Sequence, residues 1–271
     1  PARDEVTALR EATRAMHQRI AEQLRQLQDN DRLRRELISN ISHDLHTPLA
    51  AVQGYVETLW LRGEQLDAAT RTQHLATTLR HVQRLNKRIA DLFELAKLDA
   101  GQTAPRMEVF ALAELLQDVV QDWQLAARES GVRLQLAPAV RQRAAGDDIV
   151  RGDISLIERV LQNLVDNALR HTPEGGDVTL GLVPAPNTSG SPPALCVTVT
   201  DTGSGIAREH LPHIFERYWR ADPTPARTST TNAGLGLAIT KRILDLHGSV
   251  VRVLSEPQRG TWFEFCLPRA V

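Results

Sequence analysis

Apolar residues recur at helical spacing along the first third of the chain. Between Val6 and about Leu37 they fall at Leu9, Met16, Ile20, Leu24 and Leu27, with charge on the other faces and neither proline nor glycine in the run. This spacing predicts one long helix. Its apolar stripe is too narrow to make a core alone, so the helix should pair with another helix or a second copy as a coiled coil. A further stripe runs through Leu37, Ile41, Leu45, Leu49, Val52, Val56 and Leu59, and the next through Leu75, Leu79, Val82, Leu85, Ile89, Leu92 and Ala96. Only the short polar stretch Arg62–Gln65 separates these two stripes. Two helices of this length with a short connection make an antiparallel hairpin. Each hairpin shows more apolar surface than it can cover, so two copies are expected to close a four-helix bundle.

The hairpin should stop at Gly101 and Pro105, a glycine and a proline placed as helix terminators. Beyond them the periodicity alternates between helix and strand. It predicts a helix over 109–127, a strand over 132–137, a helix over 154–171 and strands over 177–183 and 194–200, joined by the Pro- and Ser-rich stretch 184–193. A helix over 234–247 and strands over 249–254 and 261–267 follow. This order reads as an α/β sandwich with helices on one face of a mixed sheet. The fold class is therefore α+β, a helical hairpin followed by a sandwich, with boundaries at 1–31 for the linker, 32–101 for the hairpin and 106–271 for the sandwich.

A length of 271 residues fits two domains plus connecting elements. Charged residues make up 24% with a formal net charge of -1, which gives no general pull toward nucleic acid. Cys196 and Cys266 lack zinc-site spacing and histidine neighbours, and are expected as buried apolar residues without a disulfide. No apolar run approaches the roughly 18 residues that span a bilayer, and no signal peptide opens the chain. The first residues read as the middle of an element, so a membrane segment is expected before Pro1.

The hairpin's first helix contains Ser42-His43-Asp44-Leu45-His46-Thr47-Pro48-Leu49. His43 and Thr47 are four apart and share a face, which continues through Ala50 and Gly54. It is not the apolar face, since His43 lies about 200 degrees around from Ile41. Small neighbours leave room for a visitor, and Pro48 removes a backbone donor and is expected to kink the helix. A lone exposed histidine is usually a solvated surface residue. A histidine with an adjacent carboxylate, a hydroxyl one turn on and a proline instead suits a nucleophile whose imidazole must be oriented and deprotonated. His74 and His81 lack such company and read as surface residues.

Asn163, Asn167 and Arg170 fall at i, i+4 and i+7 on one face of the 154–171 helix, while Val160, Leu161, Leu164 and Ala168 line its buried side. Two amides and a cation could form a solvated stripe, but they also suit a triphosphate and a hard cation such as Mg²⁺. Asp201-Thr202-Gly203-Ser204-Gly205-Ile206 follows an apolar strand, and alone would be an ordinary turn. Asn232-Ala233-Gly234-Leu235-Gly236-Leu237 opens a helix whose backbone donors could approach phosphates. Between them lies a Pro-, Thr- and Ser-rich stretch that reads as a mobile lid.

In their order and company these segments resemble the sensor histidine kinases of bacterial two-component systems. That family joins a dimerisation and phosphoacceptor hairpin to an ATP-binding domain shared with gyrase and the heat-shock ATPases, and the resemblance covers nearly the whole chain. It implies ATP and Mg²⁺ as cofactors, a homodimer, and a response regulator whose aspartate receives the phosphoryl group. It implies His43 as phosphoacceptor, Asp44 as its acid/base partner, and Thr47 as the position used in dephosphorylating the regulator. Asn167 matches the Mg²⁺-binding asparagine, with Asn163 in support and Arg170 as a phosphate-binding residue. Asp201 matches the acceptor of the adenine amino group, Gly203 and Gly205 the turn behind the base, Arg220 an arginine reaching the terminal phosphate, and Gly234 and Gly236 the second glycine motif. By this resemblance the chain is the cytoplasmic portion of an inner-membrane sensor.

Two positions depart from the family pattern. His46 stands where arginine or lysine is usual, which makes the charge near His43 depend on pH. Asn232 stands where the second glycine motif usually begins with glycine, and asparagine tolerates left-handed backbone better than most residues. Asp4-Glu5-Val6 and the helix after it resemble the end of a HAMP relay domain, with a plain coiled-coil linker as the alternative. A regulator is expected to dock near His43, over Val52–Trp60 and the facing part of the second helix. Two other classes of function stay open at this level: a scaffold that holds ATP or a partner without transfer, and an ATPase that drives conformational change.

Overall fold

The computed structural model describes residues 14, 16, 17, 19, 20, 45–63, 65–141, 146–185, 193–219 and 234–270. The linker over 1–31 falls almost wholly outside them, as do His43, Asp44, Arg220 and Asn232. The chain divides into two compact units, Pro1–Asn86 and Lys87–Val271.

In the first unit, helix α1 is described over 45–62, and α2 (Ala68–Asp99) starts after a short turn. Gln65 N–H and Leu66 N–H close that turn onto the Arg62 carbonyl at 2.9 and 3.1 Å, and the Asp67 carboxylate caps α2 by accepting from Thr70 N–H at 2.6 Å. α2 folds back on α1: the Tyr55 ring centroid lies 5.2 Å from that of His74 and 6.2 Å from that of His81. Both histidines are thus half-buried against an aromatic ring instead of lying free on the surface. Burial, followed by the charges of Arg84 and Arg80, holds His81 below the ordinary histidine value. Leu49, Val56, Leu75 and Leu79 of the expected stripes remain exposed.

The second unit begins within α2, whose Leu95 and Leu98 join its core. Then follow β1 (Glu108–Ala111), α3 (Leu112–Glu129), β2 (Arg133–Leu136), α4 (Pro138–Arg141), β3 (Ile149–Gly152) and α5 (Ile154–His171). β4 (Asp177–Pro184), β5 (Ala194–Asp201), α6 (Gly236–Leu246), β6 (Arg252–Glu256) and β7 (Gly260–Pro268) complete it. Five strands form a mixed sheet in the order β2-β4-β5-β7-β6, parallel at β2-β4 and antiparallel elsewhere. Leu195, Val197 and Val199 of β5 stand opposite Leu267, Phe265 and Phe263 of β7. Period-2 alternation turns all six to one face, where they share a core with Leu116 of α3, Leu161 and Leu164 of α5 and Ile239 of α6.

The structure corrects the expected elements in two places. The helix expected over 109–127 begins at Leu112, because residues 108–111 pair antiparallel with β3. Asp148 marks the changeover: its carbonyl accepts from Leu112 N–H at 3.0 Å and its carboxylate from Ala113 N–H at 3.1 Å, so α3 is capped by a residue from another segment. The strand expected over 249–254 begins at Arg252, because Ser249 N–H still closes onto the Leu244 carbonyl of α6 at 2.9 Å. The cysteines also differ from expectation: Cys196 and Cys266 form a disulfide. They face one another across β5 and β7, a pairing that the strand register creates.

Asp153 anchors α5. Its carboxylate accepts from Leu156 N–H at 3.1 Å, from the Ser155 hydroxyl at 2.7 Å and from Arg106 N–H at 2.7 Å, while its own N–H donates to His247 Nε2 at 3.0 Å. Burial pushes this carboxyl up, but the hydrogen bonds of Ser155, Arg106 and Leu156 outweigh it and the net direction is down. A lowered folded value means stability that is present above the unfolded carboxylate range and lost as pH falls through the folded value. Asp153→Ala is therefore expected to cost about 1–2 kcal/mol at pH 7 in urea unfolding, and less at acid pH, where the wild type has lost the same contribution.

Candidate functional site

The i, i+4, i+7 spacing of Asn163, Asn167 and Arg170 places them on one flank of α5, because Val160, Leu161, Leu164 and Ala168 bury the opposite flank in the core. That flank forms one wall of a cleft of about 400 Å³. The end of β5 with the segment behind it and the start of α6 supply the remaining walls. Asp201, Gly205, Gly234 and Gly236 all line the same cleft, and Gly203 adjoins it. Thr47 is exposed on α1 in the first unit.

Asp201 is 4% exposed, a rare state for a carboxylate that has no salt bridge among the described residues. Its Oδ1 accepts from Gly203 N–H at 2.8 Å and from Thr261 N–H at 3.2 Å. Among the described residues both donors reach this one oxygen, which leaves Oδ2 for a donor from the cleft. Burial pushes the Asp201 carboxyl above its ordinary value, and the two N–H donors only partly offset it. Two glycines make the turn around Asp201 possible. A Cβ on Gly203 would come within 2.5 Å of the His171 carbonyl oxygen, and Gly205, at φ +66°, would drive one into the Glu256 carbonyl.

Arg170 faces the cleft with its Nη2 paired to Asp166 Oδ1 at 2.8 Å, and Asp166 Oδ2 in turn holds Lys87 Nζ at 3.0 Å. Burial raises the Asp166 carboxyl, but Arg170 and Lys87 lower it further, so the aspartate stays charged and holds the guanidinium in place. Arg170 Nε is buried with no hydrogen-bond partner among the described residues. A buried donor of this kind is expected to meet an ordered water or a ligand acceptor. Asn163 spends its amide nitrogen on the Gly236 carbonyl at 3.2 Å, which leaves its oxygen as an acceptor beside Asn167. α6 opens on the same cleft without a side-chain cap, so its first N–H groups can meet an anion.

The sequence motifs contain Ile206 and Leu237 but assign them no role; with Ile214 they give the cleft an apolar wall, and His210 packs on Trp219 with ring centroids 5.2 Å apart. Thr261 stands 60 residues beyond Asp201 and meets it only through the β5–β7 register. No local motif could have announced that contact.

Amide oxygens, an unpaired buried guanidinium nitrogen and an uncapped helix start gather at one side, and a buried acceptor beside an apolar wall lies at the other. Residues 152–271 match the model of the histidine kinase-, DNA gyrase B- and HSP90-like ATPases, and residues 33–101 match that of the His Kinase A phosphoacceptor domain. The chain belongs to the histidine kinases. This kinase chain is 30% identical over 239 residues to the Sensor protein SrrB of Staphylococcus aureus, a match covering 88% of the chain and 39% of that protein. It therefore spans well under half the length of the curated relatives it matches. A solved full-length ShkA in complex with AMPPNP shares 26% identity at a TM-score of 0.59, covering 87% of this chain and 46% of that one. The histidine kinase ThkA in complex with the response regulator TrrA shares the fold at a TM-score of 0.66 and 21% identity, covering 87% of this chain and 61% of that one.

Proposed function

We propose that this chain is the kinase core of a two-component sensor: it binds ATP in the cleft of its second unit, phosphorylates His43 and passes the phosphoryl group to an aspartate of a response regulator. The observation that carries this reading is the cleft itself, where Asp201 stands at one side and Asn163, Asn167 and Arg170 at the other. The nucleotide analogue in the ShkA complex and the regulator in the ThkA complex support it.

In this reading the adenine amino group donates to Asp201, the base lies along Ile206 and Leu237, and the triphosphate runs toward α5 and the start of α6. Arg170 Nε donates to a phosphate oxygen, and Arg220 reaches the terminal phosphate. Asn167, with the Asn163 oxygen beside it, would hold Mg²⁺, which neutralises triphosphate charge when bound. The His43 imidazole nitrogen attacks the terminal phosphorus, the bond to the bridging oxygen breaks, ADP leaves, and Asp44 takes the imidazole proton. The regulator's carboxylate then attacks the phosphohistidine, and Thr47 serves the later hydrolysis of the regulator's acyl phosphate.

The exposed Leu49, Val56, Leu75 and Leu79 support a homodimer that buries them between two hairpins. No helix among the described residues is long and apolar enough to cross a membrane. Placement as the cytoplasmic portion of a membrane sensor rests on the greater length of the sensor relatives. The test is incubation with γ-labelled ATP and Mg²⁺. Label that is lost in acid and survives alkali is the expected result, and a chain that binds ATP yet carries no such label would sink the proposal.

A further inference from the structure

The Cys196–Cys266 disulfide joins directly opposed positions of β5 and β7. Cys266 N–H points away from β5, to the Ser249 hydroxyl at 3.3 Å, which marks a non-hydrogen-bonded pair, where facing side chains come closest. Alternation along both strands turns the two sulfurs to the face opposite Val197 and Phe265, away from the helix-covered core. Access to them is unequal, because Cys196 is fully buried and Cys266 only partly so. Glu264 lies two residues before Cys266 on the same face, with one carboxylate oxygen and the two sulfurs all within 4.8 Å of one another, and pairs with Arg252 at 3.6 Å.

We propose that Cys196 and Cys266 form a reversible thiol–disulfide exchange site that takes a small-molecule disulfide of the glutathione class, and that its closed form stiffens the ladder holding Asp201. The Cys266 thiolate, reachable from the open face of the sheet, attacks one sulfur of the small disulfide, breaks its S–S bond and expels one thiolate. Cys196 then gives up its proton and attacks Cys266 Sγ, expelling the second small thiolate. Two protein thiols are oxidised and one small disulfide is reduced to two thiols, so atoms and electrons balance.

The consequence for the cleft follows from register. Asp201 is paired with Thr261 in the same ladder, five residues along each strand from the bridged pair. Asp201 Oδ1 accepts from Thr261 N–H and Gly203 N–H, so a covalent tie between the strands restrains the frame on which those two bonds depend.

The full chain is equilibrated in glutathione buffers from reduced to oxidised, quenched in acid, denatured and tagged with a maleimide for mass analysis. The expected result is a fall from two tags to none in one two-electron step that reverses on return to reduced glutathione. Oxidation should raise the melting midpoint by roughly 5–15 °C and slow hydrogen exchange at the Thr261 and Gly203 amides by about tenfold or more. Cys196→Ser, lacking the resolving thiol, should accumulate a glutathione adduct on Cys266. Two tags at every ratio, no tags even in reduced glutathione, or two reduced thiols that retain one equivalent of added zinc would each overturn the proposal. Tag count, melting and exchange are read without nucleotide, so their outcome is separate from that of the ATP reading.

Discussion

His43→Gln is expected to reduce the acid-labile, alkali-stable label from γ-labelled ATP to background while leaving nucleotide affinity within about twofold of wild type. The glutamine amide can hydrogen-bond as imidazole does, but its nitrogen lone pair is delocalised and cannot attack phosphorus. A nucleophile removed outright costs the whole covalent route, which makes this the largest effect predicted for the chain. Affinity should survive because the residues assigned to ATP belong to the second unit, whereas His43 falls within the phosphoacceptor domain match. Mixing wild type and variant with a candidate regulator extends the test, since only wild type should pass label on. Label that persists in the variant would move the acceptor to another side chain. Hydrolysis that continues undiminished without His43 would favour the ATPase alternative.

Asp201→Asn is expected to weaken ATP binding by roughly 10- to 100-fold, the size of one lost hydrogen bond to a charged group in a desolvated site. The substitution keeps the volume but replaces one acceptor oxygen by a donor. If the amide oxygen keeps Gly203 N–H and Thr261 N–H, its NH₂ confronts the adenine amino group. The preference for ATP over a 6-oxo purine triphosphate should shrink in the same measure, which distinguishes lost base recognition from a collapsed cleft.

The raised position of Asp201 adds a pH signature to that loss. Wild-type affinity should fall as pH drops through the raised folded value, because protonation removes the acceptor, and the asparagine variant should lack that fall. Stability runs the other way. A carboxyl raised on folding contributes stability that is present at acid pH and lost as pH rises through the folded value. The neutral amide escapes that loss, so the melting midpoint of Asp201→Asn should not drop at pH 7. A variant that melts much lower would mean that Asp201 is chiefly structural.

Periodicity within the chain was enough to read the helical stripes of α1 and α2, the flank of α5 that carries Asn163, Asn167 and Arg170, and the apolar strand that ends at Asp201. Each is a local pattern, repeated every 3.6 or 2 residues and set by which side of one element must leave water. The cap that Asp148 lends to α3 was not legible, nor was the Lys87–Asp166 ion pair, the Thr261 N–H on Asp201 or the Cys196–Cys266 bridge. Every one of these joins side chains or backbone groups from segments that packing and strand register bring together. Residue types and spacing along one element carry the chemistry of the cleft. Which partner holds each group, and at what charge, was decided by the five-stranded sheet and the helices packed on it, because hydrogen bonds and ion pairs depend on distance in space and not along the chain.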